Sequence, residues 1–276
     1  MLTIRRGGTA VDPTVLRSFP GTRATLVGRL VLARSAAYTV ISNLRLVGLE
    51  RGHACAKMCP SPTVNADHTT FVNDEVTNHH ADATCFLLGD ANGVFGRADY
   101  TTISDSRIHD CGALPPTDLD HGIYVEASSG TRIFRNLIYG NADRGIQLYP
   151  DADHTRIAGN VIDGNGQGVD FGARGAQTTD DNLVEYNVVS NARVSYNVLS
   201  AYGPGDKVGD GNIVANNCIG GGRASAWGPG GISRNHLGFW LRGNLLTVPR
   251  FRNARHGNFQ LVKGRRCQRL LAAGDG

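Results

Sequence analysis

The sequence predicts an all-β fold, a single-stranded parallel β-helix (a solenoid) of eight or more turns, and three observations lead there. First, His121-Gly122-Ile123-Tyr124-Val125, Arg144-Gly145-Ile146-Gln147-Leu148 and Gln167-Gly168-Val169-Asp170-Phe171 share one pattern, each beginning 23 residues after the one before. Second, apolar and polar residues alternate after each glycine, which is the period of a strand. A repeat this short cannot bury its own apolar face, so it stacks on a copy of itself. Third, glycine is 36 of 276 residues, above the usual ~7%, as tight corners require.

A second repeat supports the first. Short apolar segments flank a polar residue in Ile133–Ile138, Ile157–Ile162, Val184–Val189 and Val214–Ile219, with earlier copies at Phe71–Val76 and Ile103–Ile108. The polar positions form a column: Asp74, Ser106, Asn136, Asn160, Asn187, Asn217, Asn244, with Leu44 standing at its head. Stacked amides lie ~4.8 Å apart and hydrogen-bond along the column. This is a structural device rather than a catalytic one.

The spacing along that column varies from 24 to 32 residues, so corners absorb insertions. Two stand out, at 89–99 and 112–120, and long corners on a solenoid lie on the binding face. The chain reads as one domain, 1–276. Residues 1–37 form an N-terminal cap and first strands, 38–219 the regular turns, and 220–276 the irregular last turns and C-terminal cap.

The net charge of +4 gives no electrostatic footprint for nucleic acid. No run approaches the ~20 apolar residues of a membrane helix. Six cysteines, Cys55, Cys59, Cys85, Cys111, Cys218 and Cys267, form an even set whose pairing the sequence does not choose. One or more disulfides in a secreted or cell-surface protein is the reading they favour. A zinc site would need a second ligand pair after Cys55 and Cys59, and none follows.

The columns Ile123/Ile146/Val169 and Val125/Leu148/Phe171 are expected inside the coil. The alternate positions then face out: Tyr124/Gln147/Asp170, followed by Glu126 and Tyr149. Aligning Cys85-Phe86-Leu87 with Ile123-Tyr124-Val125 puts Phe86 beside Tyr124 on the outer face. The row Ala83/His121/Arg144/Gln167 precedes the glycines, and the 112–120 insertion runs through Asp120 into His121, overhanging the patch. Aromatic rings stack on sugar faces, and arginine grips a carboxylate with two bonds.

Asp120-His121-Gly122-Ile123-Tyr124-Val125, Arg144 through Pro150 and Asn160-Val161-Ile162-Asp163-Gly164-Asn165 resemble the repeats of right-handed parallel β-helix proteins. That secreted bacterial class includes polysaccharide lyases and mannuronan epimerases. The opening from Leu2 to Leu44 is similar to the start of alginate and chondroitin lyases of this fold. The resemblance implies a monomeric lyase that cleaves an acidic, uronate-containing polysaccharide or oligosaccharide by β-elimination. Such chemistry needs the uronate carboxylate neutralised, by Arg or Ca²⁺, and a base at the C5 proton. It makes His121 and Tyr124 the base and acid, with Arg144 the neutraliser; Phe86, Asp120, Glu126, Gln147, Tyr149 and Asp170 would bind substrate. No metal ligand set is assigned. Asp170 offers Ca²⁺ one carboxylate, which is not a site.

Departures from the class leave alternatives open. Asp118-Leu119-Asp120-His121 only loosely echoes the Asp-Pro-His-Glu motif of the epimerases, and no lysine lies near the patch. Glycoside hydrolysis, needing two carboxyls flanking the bond, and a non-catalytic carbohydrate-binding role stand as the other readings. His79-His80 with Asp82 is a further metal-like cluster.

Overall fold

The computed structural model describes residues 1–48, 59–223, 229–233 and 235–272. Its strands stack into three parallel sheets of eight, nine and nine strands, and consecutive strands step from one sheet to the next. The first turn is complete by Val27, with strands Leu2–Ile4, Thr14–Arg17 and Thr25–Val27. A two-stranded antiparallel ribbon, Phe251–Asn253 with Asn258–Leu261, and the helix Arg266–Ala272 follow the last turn. No helix among the described residues is long and apolar enough to cross a membrane.

Most strands are short, three or four residues, because each turn soon reaches a corner; the longest, Ile123–Ser129, Arg144–Asp153 and Gln167–Gly172, lie on the first sheet. The inward positions build one continuous core. Ile123, Ile146, Val169, Val125, Leu148 and Phe171 are all fully buried, as are Ile103, Ile133, Ile157 and Val184 of the second sheet.

The corner between the second and third sheets carries the amide column. The residue before each column member has positive φ: Asn43, Asn73, Asp105, Arg135, Gly159, Tyr186, Asn216 and Gly243. Only two of the eight are glycine, so the column itself must hold the left-handed conformation on the others. Backbone N–H groups supply the means. Leu44 donates to Asp74 Oδ1, Asp74 to Ser106 Oγ, and Ser106 to Asn136 Oδ1. Asn136, Asn160, Asn187 and Asn217 each donate to the next Oδ1 along the column, at 2.8–2.9 Å. Their Nδ2 groups bond both the next amide and a carbonyl of the preceding turn. Two shorter amide columns, Asn141/Asn165 and Asn182/Asn212, occupy the other corners.

Disulfides join Cys85 to Cys111 within the coil wall and Cys218 to Cys267 at its end, tying the terminal helix to the last turns. No described cysteine is a free thiol. Cys55 and residues 224–228 lie outside the described residues.

One register expectation is corrected. Phe86 pairs with Ile123, and Leu87 with Tyr124, so Phe86 points into the core. It is fully buried, its ring edge-on to Phe71 at 4.9 Å. A one-residue slip exchanges inside for outside along a whole strand. It is therefore Leu87 that stands on the outer column, and Phe86 is not a surface contact.

Candidate functional site on the first sheet

Parallel pairing places Tyr124, Gln147 and Asp170 side by side on three successive strands, Ile123–Ser129, Arg144–Asp153 and Gln167–Gly172. Arg144 and Gln167 pair at the start of the same strands. An extra residue in the Arg144–Asp153 strand shifts the register after Val125, so Tyr149 and Glu126 leave the strict column at a bulge.

Arg144 is the hub. Its Nε lies 2.5 Å from Asp170 Oδ2, and its Nη1 lies 2.7 Å from Asp118 Oδ1 and 3.0 Å from the Asp118 carbonyl. Gln147 Nε2 donates to the same Asp170 oxygen at 3.3 Å. Asp170 is fully buried, and its other oxygen, Oδ1, has no partner. Burial raises the Asp170 carboxyl above its ordinary range, while Arg144 pulls it back. Burial also works against the Arg144 charge, but the two carboxylates more than offset it, so its pKa rises.

His121 is 2% exposed, and its Nδ1 is buried without a partner. Burial, with Arg144 nearby, drives its pKa well below the usual imidazole value, so the ring is neutral at neutral pH. The His121 backbone N–H bonds Thr84 Oγ1 at 3.0 Å, which fixes the strand entry. Its ring meets Tyr124 edge-on at 5.4 Å, and Tyr124 stacks with Tyr149 at 6.4 Å. Burial first, then Glu126, raises the Tyr124 hydroxyl and keeps it protonated. Burial, then Asp90, pushes Glu126 up to about 7.

This outward column is buried because long corners roof it. The 112–120 segment brings Asp118 onto Arg144. The 89–99 segment is met by a corner three turns further along, where Gln177 Nε2 donates to the Ala91 carbonyl at 3.0 Å.

The structure thus brings together His121, Tyr124, Arg144, Gln147, Tyr149 and Asp170, with Glu126 at the edge. Asp120 is engaged elsewhere: its Oδ2 accepts from the Ala113 N–H, and it faces Asp82 and Asp143, closing its own corner. Burial, with those two neighbours, raises it to about 6. Thr84, rather than Ala83, stands in the row with His121. His80 turns to the Gly112 carbonyl and to Asp110 instead of Asp82. Among the described residues no three His, Cys, Asp or Glu side chains are grouped to hold a metal ion. Asp118 was not foreseen as a partner of Arg144, because a loop contact carries no sequence period.

A family model described as right handed beta helix region matches residues 64–229, more than half of the chain, and the chain belongs to that family. Among solved structures it is similar to pectate lyase Pel9A, at 14% identity and TM-score 0.58, over 90% of this chain and 63% of that one. It is also similar to an alginate lyase from Paenibacillus sp. str. FPU-7, at 14% identity and TM-score 0.50, over 88% of this chain and 85% of that one. The chain therefore spans less than two thirds of the pectate lyase, and at such identities the likeness is one of fold. No curated protein sequence matches it.

Proposed function

We propose that the protein cleaves an acidic, uronate-containing polysaccharide by β-elimination on the first sheet, as a secreted or cell-surface enzyme. One observation carries the reading: a neutral histidine with an unpartnered ring nitrogen sits between a protonated tyrosine and a charged arginine. The disulfides fit an oxidising compartment, and both structural neighbours named above are polysaccharide lyases.

The uronate carboxylate takes the outer edge of Arg144 and displaces Asp118, which is bonded there through an exposed side chain. Arg144 then offsets the charge that builds on the carboxylate as the C5–H bond breaks. His121 accepts that proton. The electron pair forms the C4–C5 double bond, the C4–O bond breaks, and the Tyr124 hydroxyl protonates the departing oxygen. A proton returned from His121 to Tyr124 restores the site. Gln147 and Tyr149 line the sugar path, and Asp170 holds Arg144 in place.

A second reading rests on Glu126. A carboxyl raised to about 7 is protonated on the acid side of neutrality, as the general acid of a glycoside hydrolase must be. The test is a screen of pectate, alginate, hyaluronan and chondroitin, following both ultraviolet absorbance of unsaturated product and new reducing ends. Both signals together support elimination. Reducing ends without absorbance support hydrolysis, and silence in both channels removes the enzymatic reading.

A further inference from the structure

The outer column of the first sheet does not stop at Tyr124. It continues through Leu87, Thr63, Val31 and Thr3, each paired with its neighbour in parallel register. Four steps of ~4.8 Å take it roughly 19 Å from the candidate site. A groove of about 560 Å³ lies over this stretch and reaches Glu126 at its far end. Three arginines, Arg5, Arg29 and Arg34, line it against two carboxyls, Asp90 and Glu126, both at the end nearer the candidate site. Among the described residues none of the three has a carboxylate within ion-pair distance, unlike Arg144, Arg97 or Arg135. Arg29 is half-buried, held by the Pro60 carbonyl at 3.4 Å and Thr63 Oγ1 at 3.3 Å, so its position is built rather than free. Val31 and Leu87 supply an apolar floor, and Phe95, 67% exposed, a ring at the rim.

Three arginines without acidic partners, beside apolar surface, suit a polymer with regular carboxylates and apolar C–H faces. We infer that the first turns of the coil form an extension subsite, in which Arg5, Arg29 and Arg34 bind carboxylates of an acidic polysaccharide several sugars away from the cleaved bond. The inference rests on the proposed function for the ligand class and adds the direction of the chain: from the site toward the N-terminal turns. It makes the protein prefer long acidic chains over short ones.

Calorimetric titration tests this in a His121→Asn background, where the substrate survives. The probes are dimers and hexamers of galacturonate and of mannuronate, and the same hexamers with their carboxyls reduced to alcohols. The double variant Arg5→Gln/Arg34→Gln alters exposed side chains only. The expected result is that an acidic hexamer binds at least tenfold more weakly to the double variant. The dimer is unaffected, and the reduced hexamer binds both proteins equally poorly. Equal loss for dimer and hexamer, or no loss for either, overturns the extension subsite while leaving the proposed function standing. If no acidic hexamer binds the unaltered groove, both fall.

Discussion

Two corners of the same coil treat polar side chains in opposite ways. Between the second and third sheets the amides from Asn136 to Asn244 pass hydrogen bonds from turn to turn. On the first sheet His121 Nδ1, Gln167 Oε1 and Asp170 Oδ1 are buried with no partner. A buried polar atom without a partner costs about 1–3 kcal/mol. The amide corner avoids that cost by repeating one residue type at one position. The first sheet accepts it under a roof of long corners, where different residue types are needed at neighbouring positions. The contrast separates the part of the sequence that builds the rod from the part that acts.

The largest expected effect breaks the contrast on the active side. His121→Ala should lower turnover of the acidic polysaccharide at least ~100-fold, the usual worth of a positioned base. Truncating this buried ring leaves a cavity, so its stability to urea should fall by about 1–3 kcal/mol, while the protein stays folded under assay conditions. A large stability loss with proportionate activity would make His121 structural.

The amide corner should respond the other way. Asn160→Ala removes an acceptor for the Asn136 N–H and Nδ2 and a donor to the Ile133 carbonyl. Urea unfolding should show a loss of about 3 kcal/mol, with activity per folded molecule kept. A loss below about 1 kcal/mol would mean the column is ornamental.

Asp74 sharpens the comparison, because it is the column's one carboxylate and its Oδ2 is buried without a partner. Burial raises it to about 7, against the bonds from Leu44 and others. Its folded pKa exceeds its unfolded one, so the folded state holds the proton more tightly. Stability is therefore highest at acid pH and falls as pH rises between about 4 and 7. Asp74→Asn supplies the amide used elsewhere in the column and should remove that fall. The variant should gain about 2 kcal/mol over the parent at pH 8 and nothing below pH 4, read from urea midpoints across pH. Parallel pH profiles for the two proteins would refute it.

The smallest effect concerns the roof. Asp118→Asn weakens the internal carboxylate that occupies Arg144. With Asp118 exposed to water, its bond to the buried Arg144 is worth about 1 kcal/mol, so KM for an acidic substrate should fall roughly fivefold. A raised KM would show that Asp118 helps bind substrate rather than competing with it.

The coil was legible because both its signals are periodic. Alternation defines the walls, and the glycines before Ile123, Ile146 and Val169 mark the corner on three turns. The turn before them lacks that mark. Cys85 takes the place of the glycine and is held by Cys111. With no glycine to align on, the register slipped by one residue and sent Phe86 to the wrong side of the wall. The site was legible to the extent that it follows the columns: Tyr124, Gln147 and Asp170 are neighbours by register alone. Asp118 on Arg144, Asp120 turned into its own corner, and the reach of Gln177 to Ala91 come from aperiodic loops, whose paths depend on turn conformations that no repeat encodes.

Hydrogen exchange with a bound acidic hexamer, measured in the His121→Asn background, bears most directly on the central claim. Amides of residues 84–90, 117–126 and 144–149 should slow on binding, while the second and third sheets exchange as before. Protection confined to either of those other two walls would contradict the account.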